Sequence, residues 1–166
     1  MPKKNGGTSD KEWLSDQMLR TWLEAIIRLG NELIEASNHL APRKHTTVKE
    51  TFFAVAVDLA LQWQTKLVEL NKEKYENITG DLAKAVPQSK DIRNMHIHQV
   101  EYLFGAGRKQ KSFVVDVGEK PGNIVCDASS AIVTNEGYLI GGRLNVQHAM
   151  RAAYDILKKL HNPHLG

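Results

Sequence analysis

A chain of 166 residues, 42% hydrophobic and 25% charged, has the composition of ordinary soluble proteins and the length to bury one core. Its single cysteine, Cys126, excludes an internal disulfide and fits a reducing compartment, while no apolar run approaches the roughly 20 residues of a membrane helix. The formal charge of +3 gives only a weak lean towards anionic partners.

Basic residues at Lys3 and Lys4 precede Gly6-Gly7 with no apolar stretch behind them, so residues 1–8 read as a flexible tail and not as a secretory signal. The expected compartment is the cytoplasm, with no membrane partner. A single domain is expected over 9–166. Ser9 or Asp10 can cap a first helix, in which Trp13, Leu14, Met18, Leu19, Trp22, Leu23, Ile26, Ile27, Leu33 and Ile34 recur at three- and four-residue spacing. Gly30 inside it costs about 1 kcal/mol against alanine and suggests a close crossing or a slight bend. The stretch 37–44, with Pro42, ends this helix.

Thr46 or Thr47 caps a second helix, and Glu50 has capping-box spacing from Thr47. Its first half is apolar nearly all round, which places it in the middle of the structure. A short polar link between two long helices predicts antiparallel packing. Trp13, Trp22 and Trp63 are expected in the core. After a break at 77–80, residues 81–86 form a short helical turn stopped by Pro87. A further helix runs from Ser89 or Lys90 to about Phe104, where Gly105-Ala106-Gly107 ends it.

The pattern then changes. Strands are expected over 112–117, 123–126, 131–134 and 137–141, with Asn135-Glu136 as a hairpin turn. Gly141-Gly142-Arg143 reads as a turn, and Cys126 as a small strand or core residue. Asn145 caps a last helix with Val146, Ala149, Met150, Ala153, Ile156, Leu157 and Leu160 on one face. The fold class is mainly α: an up-and-down helical bundle with a small antiparallel β insertion at about 112–142, before the last helix.

The chemistry concentrates in the helix after Pro87. At 100° per residue Asn94 and His98 share a face, which Glu101 and Tyr102 continue, while Arg93 lies roughly 140° from His98. Arginine offers a charged fork matched to phosphate oxygens, histidine moves protons near neutral pH, asparagine orients a phosphate or a water, and Glu101 could hold the imidazole. Together they suit RNA cleavage without a metal. His96 and His98 point nearly opposite ways, and no HExxH or ExxH pair accompanies them, so neither a metal nor any other cofactor is expected. Arg108, Lys109 and Lys111 form a basic cluster that could contact an RNA backbone.

The run Arg93-Asn94-Met95-His96-Ile97-His98 resembles the R-x4-6-H motif of HEPN domains, with a polar residue after the arginine. The 101–108 stretch and the 137–143 strand also resemble uncharacterised HEPN-like proteins, although inserted strands depart from a plain HEPN bundle. The resemblance implies a helical bundle that dimerises with the two motifs facing each other. It implies a metal-independent endoribonuclease of toxin or defence type, with RNA and an antitoxin protein as partners. Arg93 and His98 would then be catalytic and Asn94 would assist them, with Glu101 and Tyr102 in support. The alternatives are a non-catalytic helical module that binds a partner protein or a nucleotide, and a simple nucleic-acid binder.

Overall fold

The structure is a computed structural model that describes residues 6–38, 46–118 and 124–161. It is mainly α, with short antiparallel strands inserted before the last helix. Helix α1 (Gly6–Asn38) starts three residues before Ser9, so the expected tail lies outside the described residues only as far as residue 5.

Helix α2 (Thr47–Leu70) runs antiparallel to α1. Lys49, near its start, meets Glu32 at 2.8 Å, and Lys74, just past its end, meets Glu12 at 2.9 Å. The buried stripe of α1 is Leu19, Leu23, Ile26, Gly30 and Leu33. Trp13 and Leu14, expected in the core, are exposed, and so are Val48 and Phe52 on α2. The rest of the expected α2 face is buried, with Phe53, Ala56, Val57, Ala60 and Leu67 inaccessible. Glu50 is buried too, and its carboxylate accepts the hydroxyl of Tyr138 from the inserted strands.

The last helix, here α7 (Val146–His161), packs along α1 in the opposite direction. Arg20 of α1 donates to the Leu160 carbonyl at 2.8 Å, and Gly30 lies against Met150. Gly30 therefore serves a close helix crossing. Asn145 caps α7 by accepting the His148 amide at 2.9 Å.

Between α2 and the strands the chain forms α3 (Lys72–Tyr75), a 3-10 turn, α4 (Asp81–Ala85), α5 (Ser89–Ile97) and α6 (Gln99–Leu103). The one helix expected from Ser89 to about Phe104 is therefore two. The interruption falls on His98, whose φ and ψ are −101° and 30°. No proline or glycine lies between Ser89 and Phe104 to cause it. Helix α5 runs antiparallel to α2, with Thr51 bonded to His96 and Asp58 to Arg93.

Strands β1 (Val114–Asp116) and β2 (Val125–Asp127) form one antiparallel pair. Strands β3 (Ala131–Thr134), β4 (Gly137–Ile140) and β5 (Leu144–Asn145) form a three-stranded sheet. The Asn135-Glu136 hairpin stands as expected, with Thr134 opposite Gly137. Strand β5 was not expected. Its two residues are too few for a period-2 pattern to register. Gly141 and Gly142 between β4 and β5 have φ of +60° and +68°, where a side chain is strained. A Cβ on Gly141 would also fall 2.5 Å from Ile92 of α5. This turn is thus pressed against the motif helix.

Candidate functional site

Helix α5 presents two faces. Ile92, Met95 and His96 are buried against α2 and the strands. Lys90, Asp91, Asn94 and His98 face a groove of about 610 Å3, which Glu101, Tyr102, Arg108 and Lys109 complete. The structure thus brings together Asn94, His98, Glu101, Tyr102, Arg108 and Lys109 from the residues singled out above.

His98 sits where α5 gives way to α6. Its amide still donates to Asn94 at 2.9 Å, so its Cα keeps a helical position relative to α5. The imidazole Nδ1 lies 3.1 Å from Glu101 Oε1, with both side chains about half exposed. An exposed pair of this kind adds little to stability. Its consequence is orientation, since one ring nitrogen is engaged and the other is left to the groove.

Tyr102 is buried and stacks on Phe113, with centroids 5.4 Å apart. Its hydroxyl accepts the Lys109 amide at 3.3 Å, and its carbonyl accepts the Gln110 side chain at 2.9 Å. Gly107 packs directly on the ring: a Cβ there would lie 2.2 Å from it. Tyr102 therefore holds the loop that carries Arg108 and Lys109. The Lys109 ammonium meets both oxygens of Asp91 at 2.8 Å. Lys90 and Arg108 are exposed and have no ion-pair partner among the described residues. They are the groove's uncompensated cations.

Arg93 and Lys111 do not line the groove. Lys111 lies exposed in the 3-10 turn Gln110–Ser112. Arg93 turns to α2, where Nε and Nη2 donate to Asp58 Oδ2 at 3.1 and 2.7 Å. Gln62 donates to the same oxygen at 2.7 Å. Asp58 is almost fully buried, at 8% side-chain exposure against 25% for Arg93.

His96 is buried behind the groove. Its Nδ1 lies 3.0 Å from the Thr51 hydroxyl, and its buried Nε2 has no hydrogen-bond partner among the described residues. Burial pushes its pKa below the ordinary 6.5, opposed by the Ala128 backbone and the Asp127 carboxylate nearby. Among the described residues no group of three or more His, Cys, Asp or Glu side chains is placed to hold a metal ion. No helix among them is long and apolar enough to cross a membrane.

Sequence reading missed Lys90, Asp91 and Asp58. Lys90 lies four residues before Asn94 and Asp91 seven before His98, so helical spacing places both on the groove face. The signal for Asp58 was a lone carboxylate inside an apolar helix, which implies a buried partner.

No family model matches the chain, and no curated protein or solved structure matches it.

Proposed function

We propose that this protein acts on RNA as a HEPN-like, metal-independent endoribonuclease, with the groove over α5 and α6 as the place where the phosphodiester binds and is cut. The observation that supports this reading is the convergence of Asn94, His98, Glu101, Arg108 and Lys109 on one groove, with the His98 ring held by Glu101. In the reaction a base takes the proton of the ribose 2′-hydroxyl, and the 2′-oxygen bonds to phosphorus. The bond from phosphorus to the 5′-oxygen breaks, and an acid protonates that oxygen. The products are a 2′,3′-cyclic phosphate and a 5′-hydroxyl. His98 performs one of the two proton transfers, and a second copy of the chain supplies the other across a two-fold axis. Lys90 and Arg108 face the charge on the phosphate oxygens. Arg93, held by Asp58, fixes the motif helix on α2. A cytoplasmic toxin or defence role, with an antitoxin protein as partner, belongs to the same reading.

The test is incubation of purified protein with single-stranded RNA in a metal chelator. Cleavage leaving cyclic-phosphate ends is expected, and His98→Ala should reduce it by about 10² to 10⁴. A protein that cuts no RNA, and whose effect on its host cells is untouched by His98→Ala, sinks the proposal.

One observation favours a second reading, a non-catalytic module that binds a partner protein. Arg93 is engaged within its own chain, and Ile97, Val100, Leu103 and Phe104 are exposed together beside the groove. Tight binding of a partner by a chain that never cuts RNA would favour it.

A further inference from the structure

A second groove lies where α4 meets α7, and none of its residues lines the His98 groove. Its volume is about 660 Å3. His148, Arg151, Asp155 and Lys158 recur at three- and four-residue spacing, so they form one face of α7 towards it. By helical rise this face is about 15 Å long. Lys84 lines the groove from α4. Ala85 and Ala152 line it too, with small side chains that take up little of its room.

Lys159 ties the two walls together. Its ammonium meets Asp81 at 2.5 Å and donates to the Asn77 carbonyl at 2.8 Å. Of the two lining carboxylates, Asp155 stays outside that pair. Lys84, Arg151 and Lys158 are exposed, and none has a carboxylate within ion-pair distance among the described residues. Four cations thus face two carboxylates. Lys158 and Lys159, in the last turn of α7, offset the helix dipole, but Arg151 lies in the first half of the helix and gains nothing from it. Tyr154 stands beside these cations, three residues from Arg151 and four from Lys158. Its ring is 54% exposed, and the Lys158 ammonium lies 4.4 Å from the centroid. Unpaired cations along a groove with an exposed ring at their side suit a single nucleic-acid strand, whose backbone takes the charges and whose base takes the ring. An acidic peptide would leave the ring unused, and a free phosphate would fill little of a face this long.

We propose that the α4–α7 groove binds a single nucleic-acid strand at a site separate from the His98 groove. Lys84 and Arg151 take backbone phosphates from the two walls. The Lys158 ammonium turns from the Tyr154 ring to a further phosphate, and the ring stacks on the neighbouring base. The Lys159–Asp81 pair keeps the walls in place and stays closed.

The test uses the full chain, a single-stranded 2′-O-methyl oligoribonucleotide, which cannot be cut, and a polyglutamate peptide, with affinities measured across a salt series. Arg151→Gln combined with Lys158→Gln removes two cations from exposed positions. It should weaken oligonucleotide binding about tenfold or more and flatten the plot of log affinity against log salt by about 1.4. Lys84→Gln, on the other wall, should flatten it by about 0.7. Tyr154→Ala should weaken oligonucleotide binding about tenfold through lost stacking and leave polyglutamate binding unchanged. Parent affinity and slope in both charge variants assign the oligonucleotide to other surfaces and overturn the proposal. A parent chain that binds no oligonucleotide overturns it as well. Polyglutamate bound as tightly as the oligonucleotide, with Tyr154→Ala silent on both, makes the occupant an acidic protein segment and overturns the nucleic-acid assignment. If the variants lose binding although the parent chain cuts no RNA, the α4–α7 site stands and the His98 reading falls.

Discussion

Asp58 offers a single oxygen, Oδ2, to three donors from Arg93 and Gln62. Removing one partner of a buried pair leaves the other's desolvation uncompensated, about 3–5 kcal/mol in full burial. Arg93 is a quarter exposed and can be rehydrated, so about 1–3 kcal/mol is expected for Asp58→Ala. Arg93→Ala leaves the almost fully buried Asp58 with Gln62 as its remaining donor and should cost more, towards about 3–5 kcal/mol, and the double variant no more than the larger single loss. Urea unfolding of the four proteins measures the cycle. Fully additive losses would mean that Arg93 does not act through Asp58. His96 makes a separate prediction. Its folded pKa lies below the unfolded 6.5, so the unfolded chain binds the extra proton first. Its contribution is complete above about pH 6.5 and is lost as the pH falls towards the depressed folded value. His96→Asn should flatten the fall in thermal midpoint between pH 7 and pH 5. A fall unchanged by the substitution assigns the acid sensitivity to other groups. These two side chains also show the limit of the sequence. Periodicity fixed the angle between Arg93 and His98, but not that Arg93 would find a carboxylate 35 residues away on α2.

The 105–110 loop depends on how α6 ends. Tyr102 closes the helix and carries the loop on its ring and hydroxyl. Gly107→Ala would drive a methyl into that ring, and overpacking of this kind costs about 1–3 kcal/mol. Because the loop bears Arg108 and Lys109, the substitution should weaken oligonucleotide binding as well as lower the melting temperature. Binding at the parent affinity despite the lower midpoint would detach the loop from the groove's function. At this scale, legibility followed length. Helices α1, α2 and α7 carry enough turns for a 3.6-residue period to stand out. The β3–β4 hairpin announced itself through its turn residues. The break at His98 left no trace, because the residues around it contain no helix breaker. Half of the site's geometry follows from that break. The groove residues of α5 were legible from spacing alone, and those beyond it depended on where α6 and its loop were turned.

The whole molecule leaves apolar surface beside its groove. Thr51 and His96 are bonded across α2 and α5, and the residues that follow them, Phe52 and Ile97, are both exposed. On α6 and just past it Val100 is 70% and Phe104 85% exposed. Ile97 closes α5, Val100 lies in α6 and Phe104 follows it, so exposed apolar side chains run along this edge of the two short helices. The proposed cut needs a second proton-moving group besides His98, and a two-fold axis through this edge would bring one from a second copy of the chain. Such an axis would set the two His98 grooves side by side. A stable dimer buries about 1,200–2,000 Å2 in total, so the contact must extend past α6 onto Val48 and Phe52. The expected result by sedimentation at micromolar concentration is a dimer. Phe104→Asp and Val100→Asp should each convert it to a monomer. Neither side chain supports the core, so the melting temperature of the monomer should stay within a few degrees of the folded subunit's own. RNA cleavage should vanish with the dimer, while binding to one groove survives in weakened form. A parent chain that is monomeric yet cuts RNA would remove the two-fold site and require both proton transfers from a single groove.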